Sequence, residues 1–385
     1  MIFTSHPIQY QSPWFRALSG LRTLDIHVVY SFVPDRAAQG EGFGVAFEWD
    51  IPLREGFSNE VLHADANASF VASFLRAREA LRARRPDVAL VLGWHHPSLM
   101  ATLACCRWQG IPIILRGESN LHTPRAPWKG LFHRALFTCA ASVLTIGAAN
   151  AEHYNRRGVP AQRMASARYF VDNSRFQSAA ANLAPHREAL RAEWGIEPDR
   201  FCLLFVGKLE PKKRIMDVLA AVRRLLIDGR KVHVLIVGDG EQRRDAEAYI
   251  QSTGLAATMA GFMNQSEISR AYAAADALVL PSDFGETWGL VCNEAMASGI
   301  PAIVSERVGC ASDLVIHGIT GGVSRFGEVD DITRVAAEWI DDREYYERVR
   351  SNAISHIKAY SIEAAVRGLE DAVSIALESS GAAER

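Results

Sequence analysis

The stretch FGETWGLVCNEAMASGIPAIVS, Phe284–Ser305, places Glu286 and Glu294 with seven residues between them across the start of a helix. The run before it, ALVLPS (Ala277–Ser282), is short, apolar and strand-like, and IPAIVS (Ile300–Ser305) is a second such run. Between them the pattern predicts a turn through Asp283, Phe284 and Gly285, then a helix from about Trp288 or Gly289. Gly299 stops that helix, with Pro301 just beyond. A strand–turn–helix unit of this kind leaves free amides at the helix N-terminus, here those of Gly289 and Leu290, where an anion can bind. Carboxylates cannot hold a phosphate, but they accept bonds from hydroxyls. Two glutamates around a phosphate site therefore point to a diphosphate carrying hydroxyls on both sides, a nucleotide-sugar.

Working outward, CLLFVG (Cys202–Gly207) and VHVLIVG (Val232–Gly238) read as further buried strands. The segment IMDVLAAVRRLLIDG between them reads as a helix stopped by Gly229. Gln242–Ser252 is a helix, and Ser266 is placed to cap another, EISRAYAAAD. Apolar runs alternate with amphipathic stretches in the first half too, with strands expected at Asp25–Tyr30, Asp87–Leu92, Ile111–Leu115 and Ser142–Ile146. Nearly continuous apolar strands imply parallel sheets covered on both faces. The expected fold is α/β, with two Rossmann-like domains whose ligands bind beyond the carboxyl ends of the strands. The pattern breaks between Tyr169 and Pro185, where an Ala-rich stretch reads as a linker. The division expected is an N-terminal domain over 1–175, a C-terminal domain over 199–360, and a final helical segment over 361–385.

Composition bounds the function. The 385 residues are 49% hydrophobic and 22% charged, with a formal net charge of −2. That is a soluble globular profile without a basic field for nucleic acid. The N-terminus lacks the pattern of a signal peptide, and no run is apolar and long enough to span a bilayer. The six cysteines have no C-x-x-C pairing, which suits a reducing cytoplasm and not structural zinc. A cytoplasmic location is expected.

The loop VGKLEPKKR follows the strand at Cys202–Val206, so Gly207, Lys208 and Lys213 fall where a diphosphate would sit. No D-x-D pair offers itself to a divalent metal, and the two lysines would supply the positive charge instead. VGDGEQ lacks the third glycine of a dinucleotide fingerprint, so Gly238 is read in a tight turn beside the ligand and not in an NAD site.

Together, Gly207–Lys208, Lys213, Gly238–Gly240, Gly261–Phe262, the opening stretch and GC…IHGITGG resemble the family 4 glycosyltransferases. The similarity is strong across Cys202–Gly322 and weaker before it. The resemblance implies the GT-B fold, two Rossmann-like domains facing each other across a cleft, with the donor on the C-terminal domain and the acceptor on the N-terminal one. It implies that the last helix returns to the first domain. It assigns Glu294 to the ribose hydroxyls, Glu286 to the donor sugar, and Lys208 and Lys213 to the diphosphate. Gly285, Thr287, Trp288, Gly289, Leu290 and Gly238 then line the donor, and Phe262 borders the base. The reaction implied retains the anomeric configuration and needs no metal and no cofactor beyond the nucleotide-sugar co-substrate. Its acceptor would be a glycan, a lipid-linked or a small molecule.

The chain departs from the family pattern twice. Its first loop, SHPIQYQSPWF, has no glycine, and Glu118 stands about where the family has histidine. His6, Gln9, Tyr10, His95 and Arg116 are the expected acceptor-side residues, with Glu118 a catalytic candidate pairing with Arg116. The segment RAPWKGLFHRALFTC mixes Arg125, Lys129 and Arg134 with Trp128, Leu131 and Phe132. It is read as a helix packed in the core in preference to a peripheral membrane contact. A sugar-nucleotide epimerase and a non-catalytic nucleotide-sugar-binding subunit are the alternative readings.

Overall fold

Six consecutive residues, Phe201–Val206, are all buried, and so are the six of Val232–Val237. Such runs can only be central strands of a sheet covered on both faces. The computed structural model describes residues 1–122 and 126–379. It divides into two units, each built on an all-parallel sheet.

The first unit holds β1 (Ile2–Thr4), β2 (Val28–Tyr30), β3 (Asn59–Val61), β4 (Ala89–Leu92), β5 (Ile113–Arg116), β6 (Ser142–Thr145) and β7 (Met164–Ser166). Their order is β3-β2-β1-β4-β5-β6-β7, reversing at β1 and β4. The last helix, Ile362–Ser379, packs on this unit. Ser142 Oγ donates to the Ala372 carbonyl (2.8 Å) and Thr23 Oγ1 to Glu370 (2.8 Å).

The second unit holds β8 (Phe201–Val206), β9 (Val232–Val237), β10 (Ala257–Gly261), β11 (Ala277–Leu280), β12 (Ala302–Ser305) and β13 (Gly321–Ser324). Their order is β10-β9-β8-β11-β12-β13, reversing at β8 and β11. The helix Ile215–Ile227 buries Ile215, Val218, Leu219, Val222 and Leu225, one stripe at helical spacing, against β8 and β9. Gly238 ends β9 where backbones nearly touch: a Cβ there would lie 1.9 Å from the Gly207 carbonyl oxygen.

Three expectations are corrected. The Ala-rich stretch is no linker but the helix Asn173–Leu183, because alanine is the best helix former and Asp172 caps it, accepting from the Arg175 amide (3.0 Å). Ser266 does not cap the next helix, Ile268–Ala274; its amide and hydroxyl go to Asp50. The division near residue 175 is redrawn, since the second unit comprises Arg36–Ile51 and Phe170–Tyr360. Arg187 fastens its part of the chain by donating to Asp276 (2.8 Å).

Candidate functional site

At the carboxyl ends of the second sheet, two loops meet. The turn Pro211–Lys213 follows β8, and the turn carrying Glu286 follows β11. The Asp283 amide donates to the Lys212 carbonyl (3.0 Å), tying one to the other. Lys213 Nζ then reaches Glu286 and forms an ion pair whose side chains are 16% and 17% exposed. The Glu286 turn is held from beneath: the Gly309 amide donates to the Glu286 carbonyl and the Cys310 amide to that of Trp288, each at 3.0 Å.

The helix Leu290–Ala297 starts one residue past Gly289, which adopts a φ of 95°. That conformation favours glycine, and a Cβ would sit 2.9 Å from Leu280 Cδ2. The amides of Gly289 and Leu290 have no backbone acceptor among the described residues. Amides and ammonium together make an electropositive corner for an anion. Gly285 is exposed and Thr287 half-buried on the same turn.

Two donor-side expectations change. The Trp288 ring is buried, donating Nε1–H to Asn293 (2.8 Å), so it anchors the turn from inside. Glu294 is 1% exposed and accepts the Tyr272 hydroxyl at 2.6 Å. The helix turns this carboxylate into the protein, where it needs donors. In this state it does not present itself at the surface.

Lys208 is drawn elsewhere. Its ammonium donates to the Glu41 carbonyl and stands 4.9 Å from the Phe43 ring centroid. Both belong to Arg36–Ile51, the strap that the second unit takes from the early chain. Phe47 lies 4.3 Å and Phe43 5.2 Å from the ring of Phe262. Asn264 Nδ2 donates to the Glu48 carbonyl (2.7 Å). A cavity of ≈ 410 Å³ opens between Gly42, Glu210, Pro211, Lys212 and Glu241. A larger cavity, ≈ 540 Å³, lies at the opposite, amino end of the sheet beside Phe201 and Asp276. Its cations are paired internally, Arg187 and Arg191 with Asp276 and Lys231 with Asp199.

In the first unit, the loops after β1, β4 and β5 carry the other predicted residues. Gln9 and Tyr10 are half-buried in the loop after β1, Tyr10 preceding the helix Gln11–Ser19. The His6 ring lies 5.6 Å from Phe32, and Phe32 lies 5.4 Å from His96. Burial holds His6 and His96 below the usual imidazole range, with His95 adding repulsion to both. His95 itself is exposed, while His96 caps the helix Pro97–Gln109.

Arg116 ends β5, buried, with its guanidinium 5.2 Å from the rings of both Trp14 and Tyr169. Burial lowers its pKa, while Tyr169 and Glu118 oppose that shift. The Tyr169 hydroxyl donates to Glu118, so a tyrosine the sequence did not suggest is a partner of that carboxylate. Burial and then Glu118 push the Tyr169 phenol well up, which keeps it a proton donor to that carboxylate. Asn150 Nδ2 braces the loop through the carbonyls of Gly117 (3.0 Å) and Ser119 (2.7 Å).

The helix Pro127–Thr138 turns His133 and Phe137 inward, as a core-packing helix would, yet exposes Trp128 and Leu131. Arg125 lies outside the described residues. Among the described residues, no three His, Cys, Asp or Glu side chains cluster to hold a metal, and no helix is long and apolar enough to cross a membrane. Tyr169, Tyr272 and the strap aromatics escaped the sequence reading. Only FGVAFEW, with its three aromatics, carried a visible signal.

Residues 186–356 match the family described as glycosyl transferases group 1. The alpha-D-kanosaminyltransferase of Streptomyces kanamyceticus is 28% identical over 70% of this chain and 71% of that protein. A GDP-mannose-dependent alpha-mannosyltransferase of Mycobacterium tuberculosis is 30% identical over 70% and 69%. Anabaena HepE, solved with UDP and glucose, superposes with a TM-score of 0.70 at 16% identity, covering 97% of this chain and 98% of that one. A glycosyltransferase of Rickettsia africae gives 0.76 at 13% identity over 97% of each. The solved structures establish the fold class, GT-B with two parallel-sheet Rossmann-like units. The chain belongs to the group 1 glycosyltransferases and is a glycosyltransferase enzyme.

Proposed function

We propose that this protein is a retaining, metal-independent glycosyltransferase of family 4, moving a sugar from a nucleotide-sugar to a glycan, lipid-linked or small-molecule acceptor. One observation carries the reading: the Lys213–Glu286 ion pair beside the acceptor-free amides of Gly289 and Leu290. An ammonium and two amides suit a diphosphate, and the carboxylate beside them suits a sugar hydroxyl. Lys208 joins the diphosphate when it leaves the Glu41 carbonyl. Glu294, oriented by Tyr272, reaches the ribose only if donor binding draws it outward; otherwise it supports the helix.

In the reaction, the bond from the anomeric carbon to the diphosphate oxygen breaks as the bond to the acceptor oxygen forms on the same face. The acceptor's proton passes to the departing phosphate oxygen. Lys213 stabilises the charge that develops there, and a preorganised charge in such a position is worth roughly a hundredfold or more in rate. Glu118, with Tyr169, would orient the acceptor hydroxyl. A cytoplasmic setting fits six cysteines that are all free thiols. The test is slow hydrolysis of nucleotide-sugars with EDTA present. Activity should persist in EDTA and fall in Lys213→Ala. Loss in EDTA with rescue by magnesium or manganese would defeat the metal-independent mechanism.

A further inference from the structure

The helix Pro127–Thr138 has two apolar faces where a surface helix needs one. His133 and Phe137 are buried, their rings stacked 5.5 Å apart. The other face, Trp128, Leu131 and Phe132 at positions i, i+3 and i+4, is 64%, 72% and 41% exposed. Packing within the unit does not account for that second stripe, and a contiguous exposed apolar stripe marks a contact surface.

The charged side chains of the helix itself have one sign. The helix contains Lys129 and Arg134 and no carboxylate. The Lys129 ammonium stands 5.6 Å from the Trp128 ring, and the Arg157 guanidinium lies against Gly130. The nearby Glu152 is occupied by Arg156 (2.7 Å). Because β5 and β6 are parallel, this crossover helix begins at the carboxyl end of the sheet, the end that carries Arg116 and Glu118.

We propose that this helix docks the protein on an anionic lipid bilayer. Trp128, Leu131 and Phe132 enter the headgroup region, and Lys129, Arg134 and Arg157 meet lipid phosphates. Interfacial helices combine these two features, and tryptophan favours that depth. A second copy of the chain is the poorer occupant, since a two-fold contact would bring Lys129 and Arg134 of both copies together. The inference rests on the proposed function only in that docking would bring a lipid-linked acceptor to the acceptor-side loops.

The experiment is vesicle co-sedimentation of the full chain, with phosphatidylcholine alone and mixed with phosphatidylglycerol. Binding is expected only with the anionic lipid, and it should weaken as salt is raised. The double substitution Trp128→Ser, Leu131→Ser should lower the partition by at least about tenfold, since each side chain loses apolar area that the bilayer would cover. Lys129→Glu with Arg134→Glu should do the same. Melting temperature and donor hydrolysis in solution should stay at the wild-type level, because all four side chains are exposed. Wild-type protein that binds neither vesicle, or a double variant that binds like wild type, overturns the proposal. So does a dimer in sedimentation velocity that the apolar substitutions break while vesicles go unbound. Vesicle binding without any donor hydrolysis would count against the proposed function and leave this inference standing.

Discussion

Tyr272 and Glu294 form a buried hydrogen bond, the phenol donating to the carboxylate at 2.6 Å. The bond couples the second glutamate of the pair to the helix Ile268–Ala274 and orients it from inside the protein. Tyr272→Phe removes a donor to a carboxyl group at a site with 0% and 1% exposure. Stability should fall by about 1.5–3 kcal/mol in urea unfolding. If the phenylalanine variant unfolds like wild type, other donors suffice for Glu294.

Lys213 and Glu286 should behave as one unit. Lys213→Ala and Glu286→Gln should each lower turnover about a hundredfold, and the double variant should fall little further. Losses that multiply in the double variant would show that the two side chains act separately.

Phe262 holds the strap through Phe47 and Phe43. Phe262→Ala should free Arg36–Ile51, so that trypsin cuts at Arg36 roughly tenfold faster. That factor corresponds to an aromatic contact worth about 1.4 kcal/mol. An unchanged cleavage rate would mean that Asn264 and Ser266 hold the strap without the ring.

His233 gives the second unit a pH dependence. Its Nε2 faces Thr258 Oγ1 at 3.0 Å, and that hydroxyl donates to the Trp194 carbonyl (2.6 Å). The imidazole therefore donates Nε2–H while neutral. Burial first, then Arg200 and Arg191, brings its pKa down to about 4. The unfolded chain, near 6.5, binds the proton more readily, so stability is full above about 6.5 and is lost as pH falls toward 4. The loss should approach about 3 kcal/mol. His233→Gln should flatten the melting temperature against pH over that window. An unchanged slope would move the effect to other groups.

Much of this was legible in the sequence. VHVLIV and FCLLFV announce central strands because every residue except His233 is apolar and each run is too short for a helix. The three-residue strands at Ile2–Thr4 and Met164–Ser166 give too little pattern, Asn59–Val61 is polar, and Gly321–Ser324 is masked by its glycines. Asn173–Leu183 escaped because alanines carry helix propensity without apolar periodicity. At the site, local pattern placed Glu286 and Gly289 in the loop after one strand and Lys213 in the loop after another, each legible from its own strand–turn–helix unit. It could not find that Glu294 faces Tyr272, that Lys208 meets Glu41, or that Tyr169 donates to Glu118. Those contacts are tertiary, between residues far apart in the chain.

Glu118 tests the acceptor side. Glu118→Gln keeps a group that can accept from the Tyr169 hydroxyl but removes the charge. Transfer should fall roughly tenfold or more while donor affinity holds, as for a contact made only in the transition state. Normal transfer with a lowered melting temperature would make Glu118 a loop anchor.

The central claim is that the corner made by Lys213, Glu286 and the Gly289 amide binds a nucleotide-sugar. The most direct measurement is thermal stability across UDP-, GDP-, dTDP- and ADP-sugars, for wild type and Lys213→Ala. One donor at a hundred times its dissociation constant should add about 2.7 kcal/mol to the wild type, and much less to the variant. No stabilisation of the wild type by any of the four, or equal stabilisation of Lys213→Ala, would contradict the account.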